Sequence, residues 1–301
     1  MNKSGASSAR FFPTTLPIGT IGDLLAGCTA MLESVGVSEP EREARDIVAA
    51  VLDVPRFWAA ANSVADASPD VARSVIRAAM NRASGAPLAY AVGRASFRHL
   101  TLEVDDRVLI PRVETEVLVE RVLERCTLRT RRIADIGTGS GAIALSLAFE
   151  RNFDLVIATD ISLDAIAVAT ANASSMAKVL KSAVEFRHGS LLAPVAAEKL
   201  DAVVCNPPYI SFAEIGELPA DVRDWEPSLA LLCPDDGLSV TRDLVRDVPL
   251  VLKQGGFLAL EVDTRRAGIV AEMVAVDGRY SGVEVVLDLT GRERFVFATR
   301  A

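Results

Sequence analysis

With 301 residues, half of them hydrophobic and about a quarter charged, the chain has room for one large domain and a smaller companion, and its balance is that of a folded globular protein. A net charge of -8 argues against a protein built to grip a nucleic-acid backbone, and no apolar run approaches the ~18 residues of a membrane span. The four cysteines lack CxxC spacing and the only histidines are His99 and His188, which argues against a disulfide framework and a metal cluster; a reducing cytoplasm is the expected compartment.

The first acid is Asp23, and the stretch before it carries serines, Lys3 and Arg10 but no apolar core of the kind a secretory signal needs. A disordered tail over residues 1–20 is the expectation. Apolar residues then recur at helical spacing from Ile21 to Val35, from Pro40 to Leu52, and from Ser68-Pro69 to near Gly85. Three short helices ahead of any strong strand predict a helical domain over residues 21–86. After the break at Gly85-Ala86-Pro87, the segments Ala89–Gly93, Ser96-Phe97, Leu100–Val104 and Val108–Ile110 predict a β-hairpin linker over residues 87–111, turning at Asp105-Asp106. Pro111 closes it, and a helix with Glu114 and Glu116 in its first turn runs to Arg125. Arg112 reads equally well as a functional cation and as a salt-bridge partner of Glu114 or Glu116.

From residue 112 to 301 strands and helices alternate. Ile133–Ile136 is a buried-strand pattern, followed by Gly137-Thr138-Gly139-Ser140-Gly141 and a helix from Ala142. Strand, glycine loop and helix form a nucleotide-binding arrangement in which glycines let a ligand approach the backbone. The next strand ends at Asp160, 23 residues after Gly137, where a carboxylate can accept hydrogen bonds from a ribose diol. The spacing is GxGxG, not the GxGxxG of dinucleotide enzymes. Asp135, just before the loop, would repel a pyrophosphate but attract a cationic group, directly or through water. S-adenosylmethionine, with a sulfonium, an ammonium, a ribose and no phosphate, suits this pattern; NAD suits it less well, and a turn-capping role for Asp135 competes with both. A strand Val184–Phe186 leads to Ser190 and Leu191, placed to contact an adenine.

The run Ala202–Cys205 reads as a further buried strand, ended by Asn206-Pro207-Pro208-Tyr209, because neither proline can donate a ladder hydrogen bond. The Asn206 side-chain oxygen and the stiffly held Pro207 carbonyl make a two-acceptor fork, which suits a substrate NH2 with its two donors. Pro208 and Tyr209 would wall the substrate pocket. A plain loop reading fits a lone Pro-Pro; the whole string, at a strand end downstream of a glycine loop, favours the fork. A helix over Leu238–Leu252, a turn at Gly255-Gly256, a strand Phe257–Val262, a helix from about Arg265 and an antiparallel pair, Val283–Leu289 with Phe295–Thr299, complete the chain. The predicted fold class is α/β, a mostly parallel sheet whose C-terminal strand tips carry the glycine loop, Asp160, Ser190 and Asn206 together.

The strings GTGSGAIALSLA and NPPYI, with Asp160, resemble class I methyltransferases acting on planar nitrogens. Leu109-Ile110-Pro111-Arg112, Gly85–Tyr90 and Trp225–Leu231 narrow the resemblance to the release-factor glutamine methyltransferase family (PrmC/HemK), over about residues 20–300. It implies a Rossmann-like seven-stranded sheet, S-adenosylmethionine as methyl donor with S-adenosylhomocysteine as product, and methylation of the glutamine in the Gly-Gly-Gln loop of peptide-chain release factors, the helical domain helping to hold that partner. A monomer without membrane, metal or nucleic-acid partners is expected; glutamine methylation of a ribosomal protein and methylation of a nucleic-acid exocyclic amine are the alternatives. Val113 stands where the family has a second proline, Ser190 where it has an aspartate, and Glu261–Arg266 departs from the usual E-x-G-x-x-Q.

Overall fold

The computed structural model describes residues 19–301, so the tail expected before Gly19 lies outside the described residues. The chain divides into two compact units at Gly93/Arg94.

The first unit holds α1 (Ile21–Ser34), α2 (Pro40–Leu52), α3 (Arg56–Ala61), α4 (Pro69–Ala83) and α5 (Leu88–Val92). Thr20 opens α1 in a capping box: its hydroxyl accepts from the Asp23 amide at 3.2 Å, and the Asp23 carboxylate accepts from the Thr20 amide at 2.8 Å. Leu24, Cys28 and Leu32 of α1 pack with Ile47 and Val48 of α2 and Val75 and Ala79 of α4, as the helical spacing predicts. A forked ion pair, Arg82 to Glu43 at 2.5 and 3.1 Å, ties α4 to α2. Among the described residues the unit has two helices beyond the expected three. One is α3; the other is α5, over residues read as extended. Pro87 precedes α5 and Gly93 caps it at φ +74°, so a short helix forms where the alanines and Val92 suggested a strand.

In the second unit the hairpin is β1 (Arg94–Phe97) with β2 (Leu100–Glu103), turning at Arg98-His99 rather than at Asp105-Asp106. Val108–Ile110 forms no strand. The Ile110 amide is taken by the Glu226 carboxylate at 3.3 Å, and Pro111 has no amide to offer a ladder. Next come α6 (Val113–Arg125), β3 (Arg132–Ile136), α7 (Ala142–Glu150), β4 (Leu155–Asp160), α8 (Leu163–Ser175), β5 (Val184–His188) and β6 (Leu200–Cys205). A two-residue strand β7 (Ile210–Ser211), α9 (Ala220–Trp225), α10 (Ser228–Leu231) and β8 (Leu232–Cys233) precede α11 (Ser239–Val251), β9 (Leu252–Glu261), α12 (Ala267–Val276), β10 (Tyr280–Leu287) and β11 (Glu293–Arg300).

Seven strands form one sheet in the order β10-β11-β9-β6-β3-β4-β5. β5, β4, β3, β6 and β9 run parallel, and β11 and β10 add antiparallel at the end. The buried runs on β3, β4 and β6 fit strands covered on both faces. Gly255-Gly256 is not a turn before the strand but a bulge within β9: the register against β6 steps from Leu200↔Leu252 to Ala202↔Phe257, and Gly255 takes φ +76°.

Candidate active site

The C-terminal tips of β3, β4, β5 and β6 border a cavity of about 460 Å³. Gly137 and Gly139 line it after β3, Asp160 at the end of β4, Ser190 and Leu191 after β5, and Asn206, Pro207 and Pro208 after β6. Gly137 and Gly139 hold φ of +75° and +56°, and a Cβ built on either would point into open space. These residues are therefore glycine for their backbone conformation, and the space beside them is what a ligand can fill. Asp160 is held by two amides, Gly139 N–H to Oδ2 and Ser162 N–H to Oδ1, both at 2.9 Å. Each oxygen retains a lone pair for a hydroxyl donor.

Not every residue marked in the sequence reaches this wall. Asp135 is fully buried behind the loop, where its Oδ2 accepts from the Thr138 hydroxyl at 2.7 Å and the Ala144 amide at 3.1 Å. It clamps the glycine loop to the start of α7. Burial pushes its carboxyl up to about 7, against the pull of those two donors. Thr138 and Ser140 are buried too, Ser140 accepting from the Asn172 side chain at 2.9 Å, and Gly141 opens α7. Asp135, Thr138, Ser140 and Gly141 support the loop without facing the cavity. Tyr209 also stands off the wall, its phenol pushed up to about 12 by burial, so Pro208 walls the pocket without it. His188 is exposed and bonds the Ile161 carbonyl through Nε2 at 3.0 Å; it too stands off the wall.

Among the described residues Asn206 is anchored on one side only. Its Nδ2 donates to Thr115 Oγ1 at 3.2 Å, and that hydroxyl donates to Glu261 Oε2 at 2.8 Å. The carboxamide oxygen is left for another donor. Among the described residues nothing donates to the Pro207 carbonyl. The sequence gives Thr115 no role in the site, and Glu261 only a place at the head of the string that departs from E-x-G-x-x-Q. The available clue was an acid ending the apolar run Phe257–Leu260, beside the Asn206 strand tip. The cavity is also lined by Leu109, Pro227 and Leu229, from the two strings Leu109–Arg112 and Trp225–Leu231 that carry the family resemblance.

Residues 113–217 match the family Methyltransferase small domain, and residues 23–93 match the PrmC N-terminal domain. Release factor glutamine methyltransferase of Moorella thermoacetica is 40% identical over 282 residues, covering 93% of this chain and 99% of that protein. The chain belongs to the release factor glutamine methyltransferase family. The Deinococcus radiodurans member is 37% identical over 280 residues, covering 93% of this chain and 98% of its own. Among solved structures, the hMettl16 catalytic domain in complex with MAT2A 3'UTR hairpin 6 shares the fold at a TM-score of 0.52 and 15% identity, over 78% of this chain and 82% of that one. The sheet is that of class I methyltransferases.

This methyltransferase departs from the family pattern at sites whose surroundings are now visible. Val113 occupies the first turn of α6. Ser190 lies on the cavity wall and offers a hydroxyl in place of a carboxylate. Arg112 pairs with neither Glu114 nor Glu116 but with the buried Glu226, at 2.6 Å, which fastens the segment before α6 to the Pro227 wall.

Proposed function

We propose that this chain transfers the methyl group of S-adenosylmethionine to the side-chain amide nitrogen of the glutamine in the Gly-Gly-Gln loop of peptide-chain release factors. The observation that carries the reading is Asn206: its NH2 end is tied to Thr115, its oxygen end is free, and it stands on the cavity wall beside the Pro207 carbonyl.

The methyl donor fits the residues present. The open space over Gly137 and Gly139, the doubly held Asp160 carboxylate and the apolar Leu191 suit a ribose and an adenine without phosphate. When bound, S-adenosylmethionine supplies an electrophilic methyl carbon on a sulfonium. The chain's own work is to prepare the nucleophile. An amide nitrogen is a poor one because its lone pair is delocalised. Asn206 Oδ1 and the Pro207 carbonyl accept its two N–H bonds and fix the plane of the NH2, so that one face of the nitrogen is turned toward the donor side of the cavity. Positioning of this kind lowers a barrier by several kcal/mol, up to ~7–11 in the best cases. As the nitrogen gains positive charge both hydrogen bonds strengthen, so they favour the transition state over the ground state. The methylated nitrogen then releases its extra proton to water; no general base is required. A cytoplasmic enzyme suits such a substrate, and no described helix is long and apolar enough to cross a membrane.

A labelled-methyl assay tests the reading, with intact release factor, a release factor whose loop glutamine is alanine, ribosomal protein and DNA as acceptors. Label on the first alone is the expected result; label on DNA or ribosomal protein instead would replace it. Asn206→Ala is expected to cut turnover a hundredfold or more, since one such acceptor contributes ~3 kcal/mol, while cofactor binding stays measurable. Unchanged turnover in that variant rules out the fork.

A further inference from the structure

A carboxamide has two ends of nearly equal size, and the fork works only if the oxygen faces the substrate. Turned over, Asn206 would present N–H to N–H. What prevents this lies outside the cavity wall. Glu261 ends β9, which pairs in parallel with β6 so that Leu260 stands opposite Cys205, placing Glu261 beside Asn206. Thr115, in the first turn of α6, bridges them. Thr115 and Glu261 are both buried, at 5% and 1% exposure.

We propose, on the reading of Asn206 given above, that Glu261 and Thr115 are positioning residues that set the polarity of the Asn206 carboxamide. An ionised carboxylate can only accept, so the Thr115 hydroxyl must donate its hydrogen bond to it. The Thr115 oxygen can then only accept from Asn206, and only Nδ2 can donate. Oδ1 is thereby turned to the substrate by three groups acting in series. Protonated Glu261 can instead donate to Thr115, whose hydroxyl is released to donate to Asn206, and the amide is free to turn. Around Glu261, Arg294 and Arg112 favour the ionised form and Glu114 disfavours it, while Cys205 and Tyr209 are neutral neighbours whose own protons are held tightly by burial. Burial outweighs the two arginines and raises Glu261 to about 7, so the carboxylate, and with it the relay, is lost on the acid side.

The test measures kcat at saturating release factor and S-adenosylmethionine from pH 5.5 to 9, with affinity for S-adenosylhomocysteine and thermal melting as controls on folding. Thr115→Val keeps the shape and removes the hydroxyl; it is expected to lower kcat by roughly tenfold or more with product affinity unchanged, and Thr115→Ser to restore most of it. The wild-type kcat should fall on the acid side, and Glu261→Gln should abolish that limb. The relay is overturned by a Thr115→Val enzyme with wild-type kcat, by Thr115→Ser being as impaired as Thr115→Val, or by an acid limb that persists in Glu261→Gln. Asn206→Ala, run in parallel, separates the two ideas: if it is impaired while Thr115→Val is not, the fork stands and the relay falls; if it is not impaired, both fall.

Discussion

Val113 is two-thirds exposed at the first position of α6, after Arg112 in extended backbone at φ -102° and ψ 148°. Both conditions suit proline: the residue before it must be extended, and the first helical amide has no partner within the helix to lose. Val113→Pro is therefore expected to stabilise the protein by ~0.4–1 kcal/mol through the unfolded chain's lost freedom, seen as a rise in Tm. A lower Tm would show that the first turn of α6 needs that amide. Arg112, the residue before it, teaches a different lesson. Sequence offered it two acids within four residues, yet it pairs with Glu226, 114 positions away. Local charge spacing cannot see such a partner, because the pairing is created when the segments before α6 and before α10 meet.

At the scale of elements, the departures Asp263 and Arg266 acquire a physical account. β7, directly after the Asn206 string, is followed by a turn in which Glu214 accepts from the Ser211 amide at 2.9 Å and the Ser211 hydroxyl at 2.8 Å. Arg266, at the start of α12, donates to Glu214 at 2.6 Å and to the Asp236 carbonyl at 3.0 Å. Arg265 joins them, with Glu214 at 2.9 Å and Asp263 at 3.0 Å. The cluster ties β7 and the segment before α11 to α12. Burial alone would raise the Glu214 carboxyl, but Arg266 and Ser211 outweigh it and bring it down to about 2. Arg266→Ala should cost about 1–3 kcal/mol in urea unfolding at neutral pH, because Glu214 then keeps its half-buried site with its main cation gone. A loss below a few tenths of a kcal/mol would mean that Arg265 carries the cluster by itself.

For the molecule as a whole, two buried acids oppose the usual acid sensitivity of folded proteins. Asp135 and Glu261 both titrate near 7 in the folded state, above their ordinary values of 3.8 and 4.5. Between those values and about 7 the folded state binds more protons than the unfolded one, so their contribution to stability falls as pH rises through that window. Glu214 acts the other way: its contribution is full above 4.5 and is lost as pH falls toward about 2. The share of thermal stability that Asp135 and Glu261 contribute should therefore be largest in mildly acidic solution and decline toward neutrality, and Asp135→Asn should flatten that decline in a series of Tm measurements from pH 4 to 8. Tm curves of the same slope in the wild-type and Asp135→Asn chains would contradict it.

The order and type of the sheet elements were legible from the sequence, because a strand covered on both faces needs an unbroken apolar run and a crossover helix needs a 3.6-residue rhythm, and both are local properties of the chain. The placement of Gly137, Gly139, Asp160, Ser190, Leu191, Asn206, Pro207 and Pro208 on the cavity wall was legible for the same reason: each lies at the C-terminal end of a strand or shortly after it, and parallel strands carry their ends to one edge. Tertiary structure alone decided which marked residues face the cavity and which stand behind it, as Asp135 does, and it alone joined Thr115, Glu261 and Asn206. Those three are brought into reach only by the β6–β9 register and the seating of α6, and hydrogen-bond polarity is a property of groups in contact, which residues far apart along the chain do not possess until the fold closes.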